Sequence, residues 1–116
     1  MKKNYNKKLG KLGEEIACKY YQKLGWQIIY RNYFSRYGEI DLVFEKNKKI
    51  LVVEVKTRSN LSYGWPEEAI DNKKINNIYT SYQLLRKQKK LAEFFQLEIC
   101  LIYLKNKIAK IKIIKI

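Results

Sequence analysis

A chain of 116 residues with 47% hydrophobic side chains is long enough for one domain with its own core, which excludes global disorder. It contains no histidine, which excludes Ser-His-Asp and Cys-His catalysis and HExxH metal sites and leaves carboxylates, Lys, Arg, Tyr or a hard metal ion. Its 25 Lys and Arg against 11 Asp and Glu give a net charge of +14, a field that attracts polyanions, with nucleic acid the natural partner.

In chain order, Leu9, Leu12, Ile16, Tyr20 and Leu24 recur at spacings of three and four and predict an amphipathic helix over 8–24, stopped by Gly25. Residues 26–33 are rich in β-formers and predict a strand. Arg36-Tyr37-Gly38 is a turn, 39–44 a second strand, 45–49 a polar hairpin loop and 50–57 the third and most buried strand. A polar loop follows, with Gly64, and Pro66 suits the first turn of a second helix. Ile75, Ile78, Tyr79, Tyr82 and Leu85 give that helix its apolar stripe, and 86–90 is a basic run expected to be exposed. Residues 97–104 predict a fourth strand, and Asn106-Lys107 a tight turn into a last strand over 108–116. The order α-β-β-β-α-β-β over a single domain, 1–116, implies an α/β (α+β) fold with a mixed sheet and helices packed against it.

No apolar run approaches the roughly 18–20 residues that cross a bilayer, so no membrane partner is expected. The basic start has no apolar segment behind it, which argues against a signal peptide. Cys18 and Cys100 fall in a predicted helix and a predicted strand and read as buried, reduced thiols, so a cytoplasmic location is expected. The charge has a second reading: Arg is scarce while Lys, Asn, Ile and Tyr abound, which also fits an AT-biased genome that raises lysine everywhere.

The chemistry concentrates in Gly38-Glu39-Ile40-Asp41-Leu42-Val43 and Glu54-Val55-Lys56, where acids and a lysine interrupt strands that otherwise read as core. An uncompensated carboxylate in such a place costs several kcal/mol. Alternation puts Glu54 and Lys56 on the face of Val52, and Asp41 on the face of Glu39 and Val43, with Ile40, Leu42 and Phe44 opposite. Antiparallel pairing across the hairpin brings Asp41 towards Glu54 and Lys56. Two carboxylates so close repel unless a cation sits between them, and oxygen ligands favour Mg²⁺ or Mn²⁺. E-x-K alone carries little information, because nine Glu and 21 Lys give about one or two such triplets by chance. A solvated strand face is the plain alternative for Glu54 and Lys56, a first-turn glutamate for Glu14, and plain solvated charge for Arg58 and Lys74, which otherwise suit phosphate.

Together these residues resemble the PD-(D/E)xK nuclease superfamily and, more closely, the small bacterial YraN-type family, which is similar to archaeal Holliday-junction resolvases. The match runs from about Gly10 to Leu104. It rests on Gly10-x-x-Gly13-Glu14, Gly25-Trp26, Arg31-Asn32, Gly38 to Val43 and Val53 to Arg58, with Gly64 and Lys74 at positions the family pattern favours. The resemblance implies a restriction-endonuclease-like core and a Mg²⁺-dependent (or Mn²⁺-dependent) endonuclease acting on DNA, with branched or recombination intermediates as substrates. It implies metal ligation by Asp41, Glu54, Val55 and Glu14, with Lys56 positioning or deprotonating the attacking water. Arg58, Lys74 and Arg31 would contact the nucleic acid, and related resolvases act as dimers, so a homodimer is a further expectation. One departure is Gln96-Leu97-Glu98 where the family carries Arg-Phe-Asp: the acid is kept and the Arg is absent. A non-catalytic nucleic-acid-binding module on the same fold is the competing reading.

Overall fold

The computed structural model describes residues 2–60 and 71–116. Its elements are α1 (Lys2–Lys23), β1 (Gln27–Ser35), β2 (Gly38–Lys46), β3 (Lys49–Arg58), α2 (Asn72–Lys89), β4 (Phe95–Lys105) and β5 (Ile108–Lys115). This is the predicted α-β-β-β-α-β-β order. The strands form one mixed sheet in the order β1-β2-β3-β4-β5, with β3 and β4 parallel and the other neighbours antiparallel. A parallel pair needs a crossover, and α2 supplies it.

The two helices cover opposite faces. Ala17, Cys18 and Tyr21 of α1 pack with Leu42, Phe44, Leu51, Val53, Cys100 and Ile102. Ile78, Tyr82 and Leu85 of α2 pack with Tyr33, Ile40, Val43, Ile50, Val52 and Leu97. The central strand β3 is therefore covered on both sides, and it reads as a nearly continuous apolar run for that reason. Both cysteines are buried and free, and burial, then the Glu98 charge, pushes the Cys100 thiol up to about 12.

α1 ends where predicted. Gly25, at φ +96°, donates to the Gln22 carbonyl and Trp26 donates to the Tyr21 carbonyl, the paired bonds of a glycine-terminated helix. Its start, at Lys2, lies earlier than the predicted residue 8. Leu12 and Leu24, expected in the stripe, are half exposed. The predicted five-residue loop over 45–49 is a two-residue turn: Asn47 and Lys48 take φ of 52° and 65°, and the strands extend to Lys46 and from Lys49. Two left-handed residues match the strand twist of a tight hairpin. Asn106 and Lys107 do the same in the β4–β5 turn, as predicted.

At the start of α2, the Asp71 carboxylate accepts the Lys74 backbone N–H at 2.7 Å and caps the helix. The predicted Gly64 loop and Pro66 lie outside the described residues. The basic run after Leu85 forms the last turn of α2, where it suits the helix dipole. On the edge strand β5, Ile111 and Ile113 pack on the α1-side core, while Ile108 is exposed, as is Ile116 just beyond the strand.

One expectation about strand faces is corrected. Ile40 belongs to the α2-side core with Val43, not to the α1 side with Leu42 and Phe44. Regular pairing of β2 with β3 ends at Leu42–Val53, and opposite Asp41 the β1 residue Asn32 has φ 52°. The alternation breaks at that point, and the two strands part around Asp41.

Candidate metal centre

The parting of β2 and β3 opens a cleft of about 710 Å³ at one end of the sheet. Beyond the last paired residue, the Val55 N–H donates to Asp41 Oδ2 at 2.8 Å. Asp41 and Glu54 are each 7% exposed, so two carboxylates lie nearly out of water on adjacent strands. Glu14 reaches the cleft from α1 and Lys74 from α2, while Val55, Lys56 and Arg58 line it from β3. Gly13 makes the α1 approach possible: a Cβ there would meet Thr57 Oγ1 at 1.9 Å.

The lysines are organised around Glu54. Lys74 Nζ lies 3.1 Å and Lys56 Nζ 3.8 Å from Glu54 Oε1. The second oxygen, Glu54 Oε2, is buried and has no hydrogen-bond partner among the described residues. Burial first, then the contact with Lys74, pushes Lys56 below the ordinary lysine range. Lys74 moves the other way: burial opposes its charge, but the Lys56 contact and the Glu54 carboxylate outweigh that.

The acids shift upward together. Burial, then the Glu54 charge, holds the Asp41 carboxyl at about 8, against the Val55 hydrogen bond that lowers it. Burial, then Glu39, raises Glu14, and burial, then Glu54, raises Glu39. One oxygen from each of Glu14, Glu39 and Asp41 lies within 4.8 Å of the others. With its amide nitrogen turned to the acids, Asn32 donates to Glu39 Oε1 at 2.9 Å and to Glu14 Oε1 at 3.0 Å.

This donor set fits a hard divalent ion. It is all oxygen, it carries more negative charge than its two lysines offset, and it holds one orphaned buried oxygen.

Of the residues singled out from sequence, Asp41, Glu54, Val55, Lys56, Glu14, Arg58 and Lys74 all line one cleft. Arg58 is exposed at its rim, and its Nη1 donates to the Thr57 carbonyl. Lys74 sits within the acid cluster rather than on an outer surface. Arg31 is elsewhere: it pairs with Glu15 and donates to Cys18 Sγ at 3.1 Å. Glu98 faces α1, where it accepts the Tyr21 hydroxyl at 2.8 Å, and does not line the cleft. Sequence reasoning passed over Glu39 and Asn32 as members of the site. The signal for Glu39 was its place two residues before Asp41 on the same strand face.

The helix-flanked mixed sheet, with acids and lysines where β2 and β3 part, defines the class: an α+β protein consistent with a restriction-endonuclease-like fold. The sequence pattern of the uncharacterised protein family UPF0102 matches residues 13–107, and the chain belongs to that family, the YraN-type family its motifs resemble. The chain is similar to a UPF0102 protein of Syntrophomonas wolfei, 51% identical over 73 residues, 63% of this chain and 64% of that protein. It is similar to one of Dictyoglomus turgidum, 37% identical over 110 residues, 95% of this chain and 78% of that protein. A third, of Caldicellulosiruptor saccharolyticus, is 32% identical over 112 residues, 94% of this chain and 95% of that protein. The match thus spans under two thirds of the Syntrophomonas protein and nearly all of the Caldicellulosiruptor one.

Proposed function

We propose that this protein is a Mg²⁺- or Mn²⁺-dependent endonuclease that hydrolyses phosphodiester bonds in DNA, with branched or recombination intermediates as its substrate class. The observation that carries this reading is the pair of buried acids, Asp41 and Glu54, with Glu54 Oε2 unpartnered among the described residues and Lys56 and Lys74 beside the other oxygen. Asp41, Glu54 and Glu14 would hold the ion, with Val55 fixing Asp41 through its N–H and offering its carbonyl. Bound there, the ion supplies Lewis-acid polarisation of the phosphodiester and favours ionisation of a water.

The chain's own residues do the rest. Lys56, half-buried beside Glu54, orients the attacking water and offsets the charge that grows on the phosphoryl oxygens. Lys74 holds the Glu54 carboxylate in place, and Arg58 at the rim meets the phosphate backbone of the flanking nucleotides. Arg31 lies outside the cleft and would serve as a more distant backbone contact. No helix among the described residues is long and apolar enough to cross a membrane. Two buried free thiols suit a reduced, cytoplasmic setting.

The test is cleavage of labelled four-way junction, flap and duplex DNA with Mg²⁺ or Mn²⁺. Wild type should cut at least one of these, and folded Glu54→Ala should cut none. Equal cutting by both proteins would assign the activity to a contaminant. The competing reading, a non-catalytic nucleic-acid-binding module, draws on the +14 charge. It predicts salt-sensitive binding that survives Glu54→Ala, with no cleavage and no divalent-ion affinity in wild type.

A further inference from the structure

We infer that the tip of the β1–β2 hairpin, with Phe34, Arg36 and Tyr37, holds an unpaired base of the DNA strand whose phosphate enters the cleft. The inference rests on the endonuclease reading above and gives its preference for branched DNA a seat in the structure.

The tip stands at the mouth of the cleft. Gly38 opens β2 and Asp41 follows on the same strand, so the turn before Gly38 lies beside the acids. A second groove, of about 300 Å³, runs from Tyr37 and Gly38 across to Lys73 and Asn77 on α2. Glu39 and Lys74 line both this groove and the cleft, so the two are continuous. The turn itself is stiff. Ser35 pairs with Gly38, which leaves Arg36 and Tyr37 at the tip. The β2–β3 and β4–β5 turns place two left-handed residues there, whereas Arg36 and Tyr37 keep negative φ and Gly38, at +131°, takes the unusual backbone instead. Ser35 Oγ accepts the Tyr37 N–H at 3.1 Å, donates to the Gly38 carbonyl at 3.2 Å and lies 2.8 Å from the buried Ser81 Oγ of α2. These bonds tie the tip to the helix that forms the far wall of the groove.

A single exposed ring is ordinary on a protein surface. Here two rings and a groove stand together. Phe34, paired across the strands with Glu39, is 73% exposed, and the Arg36 guanidinium lies 5.0 Å from the centre of the Tyr37 ring. The groove between Tyr37 and α2 suits a base better than a phosphate. Glu39 and Asp71 offer acceptors to exocyclic amino groups, and Asn77 offers both a donor and an acceptor. The exposed Lys73 and Arg36 suit the phosphates on either side. Aromatic faces accept any base, but a base stacked within a duplex cannot reach them. The tip therefore selects DNA in which a base next to the cut is already free, at a branch point or on a single-stranded tail.

Fluorescence anisotropy of the full chain with labelled four-way junction, flap and duplex DNA of equal length, at fixed salt with Ca²⁺ in place of Mg²⁺, tests this without a cleavage readout. Wild type should bind junction or flap more tightly than duplex. Phe34→Ala combined with Tyr37→Ala should weaken branched binding by about 5–150-fold and leave duplex binding as in wild type. Phe34→Ala alone, at an exposed position that spares the fold, should give part of that loss, and Phe34→Trp should restore it. 5-Iodouracil at the first unpaired position should crosslink under ultraviolet light to Phe34 or Tyr37, located by mass spectrometry, and the same base within a duplex should not. Tighter binding of the junction would assign the base to a branch point and of the flap to a single-stranded tail, and either supports the inference. Equal binding of branched and duplex DNA by wild type, or a preference unmoved by Phe34→Ala, would overturn it and leave the endonuclease reading to its cleavage test. Equal losses on branched and duplex DNA would also overturn it, as would a dimer in analytical ultracentrifugation that Phe34→Ala dissociates, which would give the patch to a second copy of the chain. No DNA binding by wild type would overturn both readings.

Discussion

Asp41 is held at about 8 in the folded chain by burial and then by Glu54, whereas in an unfolded chain a carboxyl of its type ionises near 3.8. Between those values the folded state keeps a proton that the unfolded state releases. The resulting stability is fully present below about 3.8 and is lost as pH rises through 8. With chelator present, the melting temperature of wild type should therefore fall from pH 5 to pH 8 more steeply than that of Asp41→Asn. Adding Mg²⁺ should raise the wild-type value more at pH 8 than at pH 5, since the ion competes with the proton. Parallel pH profiles for the two proteins would mean that Asp41 ionises normally. At this scale Glu54 and Lys56 were legible because strand alternation carries side-chain direction directly, and Asp41 because a lone acid interrupts a core-like strand, although the alternation breaks beside it. Glu39 was not, since an acid at a strand's mouth looks the same in sequence whether solvated or clustered. Asn32 was visible only as part of a motif, because its part depends on where a side-chain amide points across β1 and α1.

The element that sets the site is α1, and what sets α1 is its contact with the end of β3. A methyl on Gly13 would lie 1.9 Å from Thr57 Oγ1 and 2.9 Å from Thr57 Cβ, so the helix cannot stay where it is if that position carries a side chain. Alanine gains about 1 kcal/mol of helix propensity, but overpacking of this kind costs roughly 1–3 kcal/mol and pushes Glu14 away from Asp41. Gly13→Ala should therefore lower stability by up to about 2 kcal/mol in urea titration and weaken Mn²⁺ binding, and adding Thr57→Ala should restore part of both. Gly10 is the control, since nothing lies within 4 Å of a Cβ there, and Gly10→Ala should be neutral or stabilising. If Gly13→Ala behaves like Gly10→Ala, the close approach does not govern the site. Sequence carried the helices and strands well, because periods of 3.6 and 2 are local signals. It did not carry the two-residue turn at Asn47-Lys48, which depends on both residues accepting positive φ, or the switch of Ile40 to the α2 face, which depends on where β2 and β3 part.

Across the whole molecule, the question left by composition is whether +14 is a binding surface or only abundant lysine. The fold turns that into a positional difference. β3 and β4 run in parallel towards the cleft, so Arg58 and the β4–β5 turn at Lys105 lie at the same end of the sheet as Asp41 and Glu54. The amino-terminal half of α1, with Lys7, Lys8 and Lys11, lies at that end too, because Asn6, Leu9 and Gly10 line the cleft. Lys23, Lys49, Lys87 and Lys115 stand at the opposite end, and all of these lysines are exposed. A nucleic acid seated over the cleft releases counterions only where phosphates meet lysines, with a slope in log K against log salt of roughly 0.9 per contact. Replacing Lys7, Lys8, Lys11 and Lys105 by Gln should reduce that slope by about two to four and weaken duplex binding at 100 mM salt. Replacing Lys23, Lys49, Lys87 and Lys115 removes the same net charge and should leave the slope nearly as in wild type. Equal losses in the two quadruple variants, measured by fluorescence anisotropy from 50 to 300 mM salt, would show that total charge rather than its placement attracts the polyanion.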